Sequence, residues 1–145
     1  MSSSRAVDRH RSESKPASAP SAPRDSFVIH VALLFFSAIF AYGGFNQLRA
    51  APSHVTRAEE AGVPVTTGIV QVTGGTMLLC LLALQFPGLR RAAATLLALQ
   101  LPVITYIGHR FWAQPTPPQR AAQLTQFLKN VSLFGASLYI AATSK

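Results

Sequence analysis

The chain has 145 residues, of which 49% are apolar and only 12% charged, with a formal net charge of +8. A soluble domain usually carries about 25% charged residues, so this chain lacks the polar surface of a water-soluble one and is long enough for one domain at most. The thirteen Lys/Arg residues sit in the N-terminal tail and in short gaps between apolar runs, which suits lipid headgroups and excludes the basic stripe of a nucleic-acid binder.

Residues 1–26 are rich in Ser, Pro, Ala and Arg and are expected to be disordered, since they bury too little to offset chain entropy. Their composition loosely resembles a transit peptide, but Asp8, Glu13 and Asp25 argue against one. A secretory signal would use 27–40 as its apolar core, yet the uncharged run continues to Leu48 without a small-residue cleavage pattern.

Four uncharged stretches follow, at 26–48, 61–89, 92–109 and 130–144. A helix needs about 20 residues to cross a bilayer core. The first two stretches suffice, the third is marginal and the fourth is short. Ala121, Leu124, Phe127, Leu128 and Val131 recur at helical spacing and extend the fourth backwards, while Pro115, Pro117 and Pro118 argue for a start near Gln119. The expectation is all-α: an integral membrane antiparallel four-helix bundle over 27–143, with helices at about 27–48, 64–86, 91–110 and 119–143 and short loops between them. Glu59 and Glu60 are expected in a loop, and a tight turn is expected at 86–91. The positive-inside bias places both termini in the cytoplasm, because the tail, Arg90, Arg91 and Lys145 then share one side. The chain is thus expected in the cell (inner) membrane as a multi-pass protein.

Polar residues gather toward the opposite side: Asn46 and Gln47, then Thr66, Thr67 and Gln71, then Thr105 and His109, then Lys129, Asn130 and Ser132. Polar groups inside spans need partners and are functional candidates by default. Gln71, Thr105, His109, Lys129 and Asn130 are the candidate polar pocket. The plainer reading is that the hydroxyls bond to their own helices, that His109 joins Arg110, Phe111 and Trp112 in an interfacial belt, and that Lys129 snorkels. Gly43, Gly44, Gly74, Gly75 and Gly135 are candidate helix-packing sites. Pro102 is expected to kink its helix and open space beside Thr105. Cys80 is a single thiol, read as inert and buried. His10, His30, His54 and His109 are too scattered for a metal site, and no CxxC, HExxH, P-loop or GxGxxG pattern occurs.

Three segments carry a resemblance. FFSAIFAYGGFNQLRA, AGVPVTTGIVQVTGGTMLL and GHRFWAQPTPPQRAAQLTQFLKNVSLFGASL resemble, in that order, the first helix, the loop and second helix, and the last third of the DoxX family of small four-helix membrane proteins. The resemblance covers about 27–143. The sequence departs from the family pattern at Gln71, where a Glu is usual, at Asn46–Gln47, where a Lys is usual, and at Gly135–Ala136, where a Gly pair is often seen. The resemblance implies the fold and, as a functional expectation, a membrane subunit of a quinone-linked or thiol/sulfur redox complex, with quinone as the cofactor class and the chemistry supplied by a redox partner subunit. A non-catalytic scaffold packing on a partner, or on copies of itself, is the alternative; a transporter would require an oligomer. No nucleophile–base pair is visible, so a stand-alone enzyme is not expected.

Overall fold

The computed structural model describes residues 23–144, with side chains from residue 27. The expected disordered tail lies outside the described residues, except that helix already begins at Pro23. Among the described residues the protein is entirely helical: α1 (Pro23–Arg49), α2 (Ala51–Glu60), α3 (Thr67–Leu84), α4 (Pro87–Gly108), a 3-10 turn (Phe111–Ala113) and α5 (Pro117–Thr143).

Local chemistry explains most of the boundaries. Thr66 caps α3, its hydroxyl accepting from the Ile69 amide at 3.3 Å. Proline opens α4 and α5, because the first helical turn has no use for the missing amide proton. That corrects two expected starts. The fourth long helix begins at Pro117 rather than near Gln119, and the third begins at Pro87 rather than 91. The turn before α4 is therefore only Gln85 and Phe86, and Arg90 and Arg91 belong to the first turns of α4. Arg90 Nε donates to the Leu84 carbonyl at 2.9 Å, satisfying one of the carbonyls that the end of α3 leaves over.

The ten-residue helix α2 is a further correction, since Glu59 and Glu60 lie on it and not in a loop. It carries Pro at its start and buries Ala51 and Ala58, seven positions apart and so on one face. Its exit is a Schellman motif. Gly62, at φ 74°, donates to the Glu59 carbonyl at 2.9 Å while Val63 donates to Ala58 at 2.9 Å, and only glycine adopts that left-handed conformation cheaply. Pro64 follows and bars any continuation.

Packing follows chain order. α1 lies on α3, α3 on α4 and α4 on α5, the first and last of these being the most extensive contacts, and α2 covers one end of α3 and α4. The core is Phe40 of α1, Met77, Cys80 and Leu84 of α3, and Ala94, Leu97 and Leu101 of α4. At the α1–α3 crossing a Cβ added to Gly74 would stand 2.7 Å from the Gly44 carbonyl oxygen, and one added to Gly44 would stand 2.9 Å from the Gly74 carbonyl. The two backbones touch because neither residue has a side chain. Gly43 is in ordinary contact with Met77 Sδ, whereas a Cβ at Gly75 or Gly135 would meet nothing within 4 Å.

Three segments, Phe27–Arg49, Thr67–Leu84 and Pro87–Ala113, are long and apolar enough to cross a membrane. Their outer faces carry Phe35 (79% exposed), Tyr42, Val72, Leu79, Leu82 and Leu99, an apolar surface that water would not tolerate. The chain is a multi-pass helical membrane protein. α5 is as long as α1 at 27 residues, but it is not among the segments apolar enough to cross, because Gln123, Gln126, Lys129 and Asn130 dilute its first half.

Candidate functional site

The chain reverses between helices, so two ends can be distinguished. The tail end holds the start of α1, the turn at 85–86 and the end of α5. The loop end holds α2 and residues 61–66 and 109–116. A cavity of about 280 Å³ opens between α4 and α5 toward the loop end. Leu101, Pro102, Thr105 and Tyr106 reach it from α4, and Phe127, Asn130, Val131 and Phe134 from α5. These are positions i, i+1, i+4, i+5 and i, i+3, i+4, i+7, the spacings of one helical face.

The short stretch after α4 roofs the cavity. The 3-10 turn swings Phe111 and Trp112 onto α5, with Phe111 5.4 Å and Trp112 6.2 Å from the Phe127 ring centroid, both edge-on. Tyr106 lies 6.1 Å from Trp112. Edge-to-face aromatic groupings of this kind add about 0.5–1.5 kcal/mol per pair beyond the area they bury.

One polar pair stands among these rings. Asn130 Nδ2 donates to Thr105 Oγ1 at 3.0 Å, and the Thr105 hydroxyl donates in turn to the Leu101 carbonyl at 2.6 Å. Thr105 is 6% exposed and has committed its proton. Asn130 keeps one N–H and its carbonyl oxygen without a partner among the described residues. Pro102 brings no amide proton to the α4 ladder, which leaves the Ala98 carbonyl without its usual helical donor.

The other expected pocket residues are placed apart from this pair. His109 follows α4, its amide bonded to the Thr105 carbonyl at 2.9 Å and its Nδ1 3.0 Å from Gln123 Oε1. His109 thus ties the end of α4 to α5 and does not line the cavity. Gln71 is exposed on α3 and Lys129 is exposed on α5. The structure therefore brings together Thr105 and Asn130, keeps His109 nearby, and leaves Gln71 and Lys129 on the surface. No group of three His, Cys, Asp or Glu residues could hold a metal among the described residues.

Sequence reasoning missed the aromatic wall and α2. The wall was readable in the 127/130/131/134 spacing of α5. For α2 the signals were Pro52 at its start and Gly62 with Pro64 at its end. α2 is held against the rest by Arg110, whose Nη1 donates to the Glu60 carbonyl at 2.6 Å and whose Nη2 lies 3.6 Å from the Glu60 carboxylate. Asn46 at the end of α1 faces His54 of α2 at a long 3.5 Å. Partial burial, then the nearby Arg57 charge, lowers the His54 pKa from its ordinary value, so the neutral ring belongs to the docked helix.

Polar atoms also sit deeper among the helices without hydrogen bonds: Ser37 Oγ, Gln47 Oε1 and Gln100 Oε1. Gln47 is 6% exposed and its Cβ lies 2.8 Å from where a Gly74 side chain would begin.

No family model, curated protein or solved structure matches this chain.

Proposed function

We propose that this is a DoxX-like, four-span membrane protein whose cavity between α4 and α5 receives the ring of a membrane-dissolved quinone, in association with a redox partner subunit. The observation that carries the reading is Asn130, a primary amide with one uncommitted N–H, held by Thr105 at the edge of an aromatic cavity. A quinone needs a flat apolar slot and a hydrogen-bond donor to a carbonyl oxygen. The cavity, at about 280 Å³, is at the small end of ligand pockets and suits one substituted ring with its tail left in lipid. The three motif segments support the family reading, and α5 supports the fourth span, since it runs about 40 Å at 1.5 Å per residue along α4. The start of α1 and the end of α5 share the tail end with Arg90 and Arg91, and the positive-inside bias supports a cytoplasmic side there.

Trp112 is the single tryptophan of the chain and lines the cavity, so its fluorescence reports occupancy. A short-chain quinone added to the purified protein in neutral detergent should quench it saturably. Asn130→Leu should weaken that binding about tenfold while the protein stays folded. Quenching that is linear in quinone, or equal in the variant, rules the reading out.

A second reading, a scaffold that packs on a partner helix, draws on Gly75 and Gly135, over which nothing stands within 4 Å. A partner that co-purifies with the parent chain and is lost in Gly135→Leu, with quinone binding absent, would favour it.

A further inference from the structure

The helix row does not close into a ring. α1 and α5 are not in extensive contact, and a groove of about 700 Å³ separates them at the tail end. Leu33 and Phe36 of α1 face Tyr139 and Ile140 of α5 across it, Ala136 leaves its inner end open, and Arg90 of α4 lies at its edge. Arg90 uses Nε on the Leu84 carbonyl, and its two terminal nitrogens have no hydrogen bond or ion pair among the described residues. Thr143 and Ser144 line the same end.

The groove spans most of one leaflet. Its α1 side runs from Ile29 to Phe36 and its α5 side from Ala136 to Ser144, about 10–12 Å at 1.5 Å per residue. One leaflet of a ~30 Å hydrocarbon core is about 15 Å deep. The polar end of the groove coincides with the ends of the helices, where headgroups lie. An apolar channel that starts at a guanidinium and runs toward the bilayer centre has the shape of one acyl chain beneath one phosphate.

Charge decides between a lipid and a second copy of the chain. Among the described side chains the only carboxylates are Glu59 and Glu60, both on α2 at the loop end. α3, α4, α5 and α1 from Phe27 onward carry none. A second copy laid into the groove would bring Arg90 no counter-charge from its described side chains, the remaining carboxylates, Asp8, Glu13 and Asp25, belonging to the N-terminal segment, and an unpaired guanidinium is costly to bury. An anionic phospholipid supplies the missing charge, and guanidinium binds phosphate oxygens through two parallel N–H bonds.

We infer that the groove between α1 and α5 is a binding site for one anionic phospholipid, with its phosphate on Arg90 and one acyl chain between Leu33–Phe36 and Tyr139–Ile140. The site is separate from the cavity between α4 and α5 and does not depend on what that cavity binds.

The test is native mass spectrometry of the full chain released from nanodiscs containing phosphatidylcholine and phosphatidylglycerol. One phosphatidylglycerol per chain should be retained in preference to phosphatidylcholine. Arg90→Gln should weaken retention about fivefold or more, the worth of one basic contact to an anionic headgroup. Ala136→Trp fills the groove while leaving Arg90 in place and should abolish retention. Lys129→Gln, which removes an equal charge away from the groove, should change nothing. Equal retention in all four proteins overturns the inference, as does competition by glycerol phosphate at the concentration where the whole lipid competes. So does a dimer that persists in phosphatidylcholine alone and is dispersed by Ala136→Trp or Asp25→Asn, which would make a second copy the occupant. Far-ultraviolet circular dichroism and thermal unfolding confirm that each variant is folded.

Discussion

α1 and α3 meet backbone to backbone, with Gly44 and Gly74 leaving no room for a single carbon, whereas α4 and α5 meet through side chains and leave a cavity of about 280 Å³. Both contacts hold long helices together where the hydrophobic effect does little, because lipid tails are as apolar as leucine. The first relies on close approach and dispersion. The second relies on an aromatic grouping and on the Asn130–Thr105 hydrogen bond. Close approach leaves nothing for a ligand to enter. A side-chain contact around a proline does, and Thr105 and Asn130 meet in the space it leaves.

The contrast is broken most directly at the crossing. Gly74→Ala puts a methyl against the Gly44 carbonyl and should lower stability by about 1–3 kcal/mol, the usual cost of overpacking. Gly75→Ala, one residue along with open space around it, should leave stability unchanged or raise it by up to about 1 kcal/mol through helix propensity. Thermal unfolding of both variants in the same detergent tests the pair, and equal losses would show that the crossing is not the tight one.

Asn130→Leu should cost less, about 0.5–1 kcal/mol for one hydrogen bond between membrane helices. Its signature is the roughly tenfold weaker Trp112 quenching that accompanies this small change in stability. A variant that unfolds outright would make Asn130 a structural residue and remove the distinction between the two contacts.

Arg110→Ala removes the bond to the Glu60 carbonyl and the looser pairing with its carboxylate. The effect should be local, with faster amide exchange over residues 51–60 and little change in α4 or α5, because exposed ion pairs are worth under about 1 kcal/mol. Exchange that rises throughout would mean that α2 holds the helix row together and does not merely cover its end.

The smallest effect is the pH dependence of α2. Since burial and Arg57 lower the His54 pKa, the ring refuses a proton in the docked state that it accepts when α2 is released. This contribution is fully present above about pH 6.5, the ordinary histidine value, and fades as pH falls through the range below it. Amide protection of 51–60, corrected for the intrinsic exchange rate at each pH, should therefore fall between pH 7.5 and 5.5, and His54→Asn should flatten the profile. A parent profile already flat would remove His54 from the account.

Much of this was legible in the residues. Hydropathy and the scarcity of charge are properties of each segment alone, so the helical membrane character and the four long helices could be read without knowing what touches what. Helix starts were legible only to within a turn, since proline both ends and begins helices, and at Pro87 and Pro117 it begins them. α2 escaped because its ten residues are polar on most of their circumference and its buried face is only two alanines, Ala51 and Ala58. Gly62 and Pro64 announced its end without announcing the helix.

The candidate site was half legible. Thr105 and Asn130 lie 25 residues apart, and nothing local says that they will bond. Gln71 and Lys129 look equally polar in the sequence and turn out to face outward. Depth along a helix can be counted at 1.5 Å per residue, but the direction a side chain faces depends on which neighbour claims that face. The same holds for the glycines: Gly74 and Gly75 are adjacent in the chain and about 100° apart around the helix, so one touches α1 and the other touches nothing. Composition and length decide that these helices live in lipid. Which of their polar residues meet, and the cavity and groove left between them, follow from packing between segments distant in the chain, and that information is carried by no single segment.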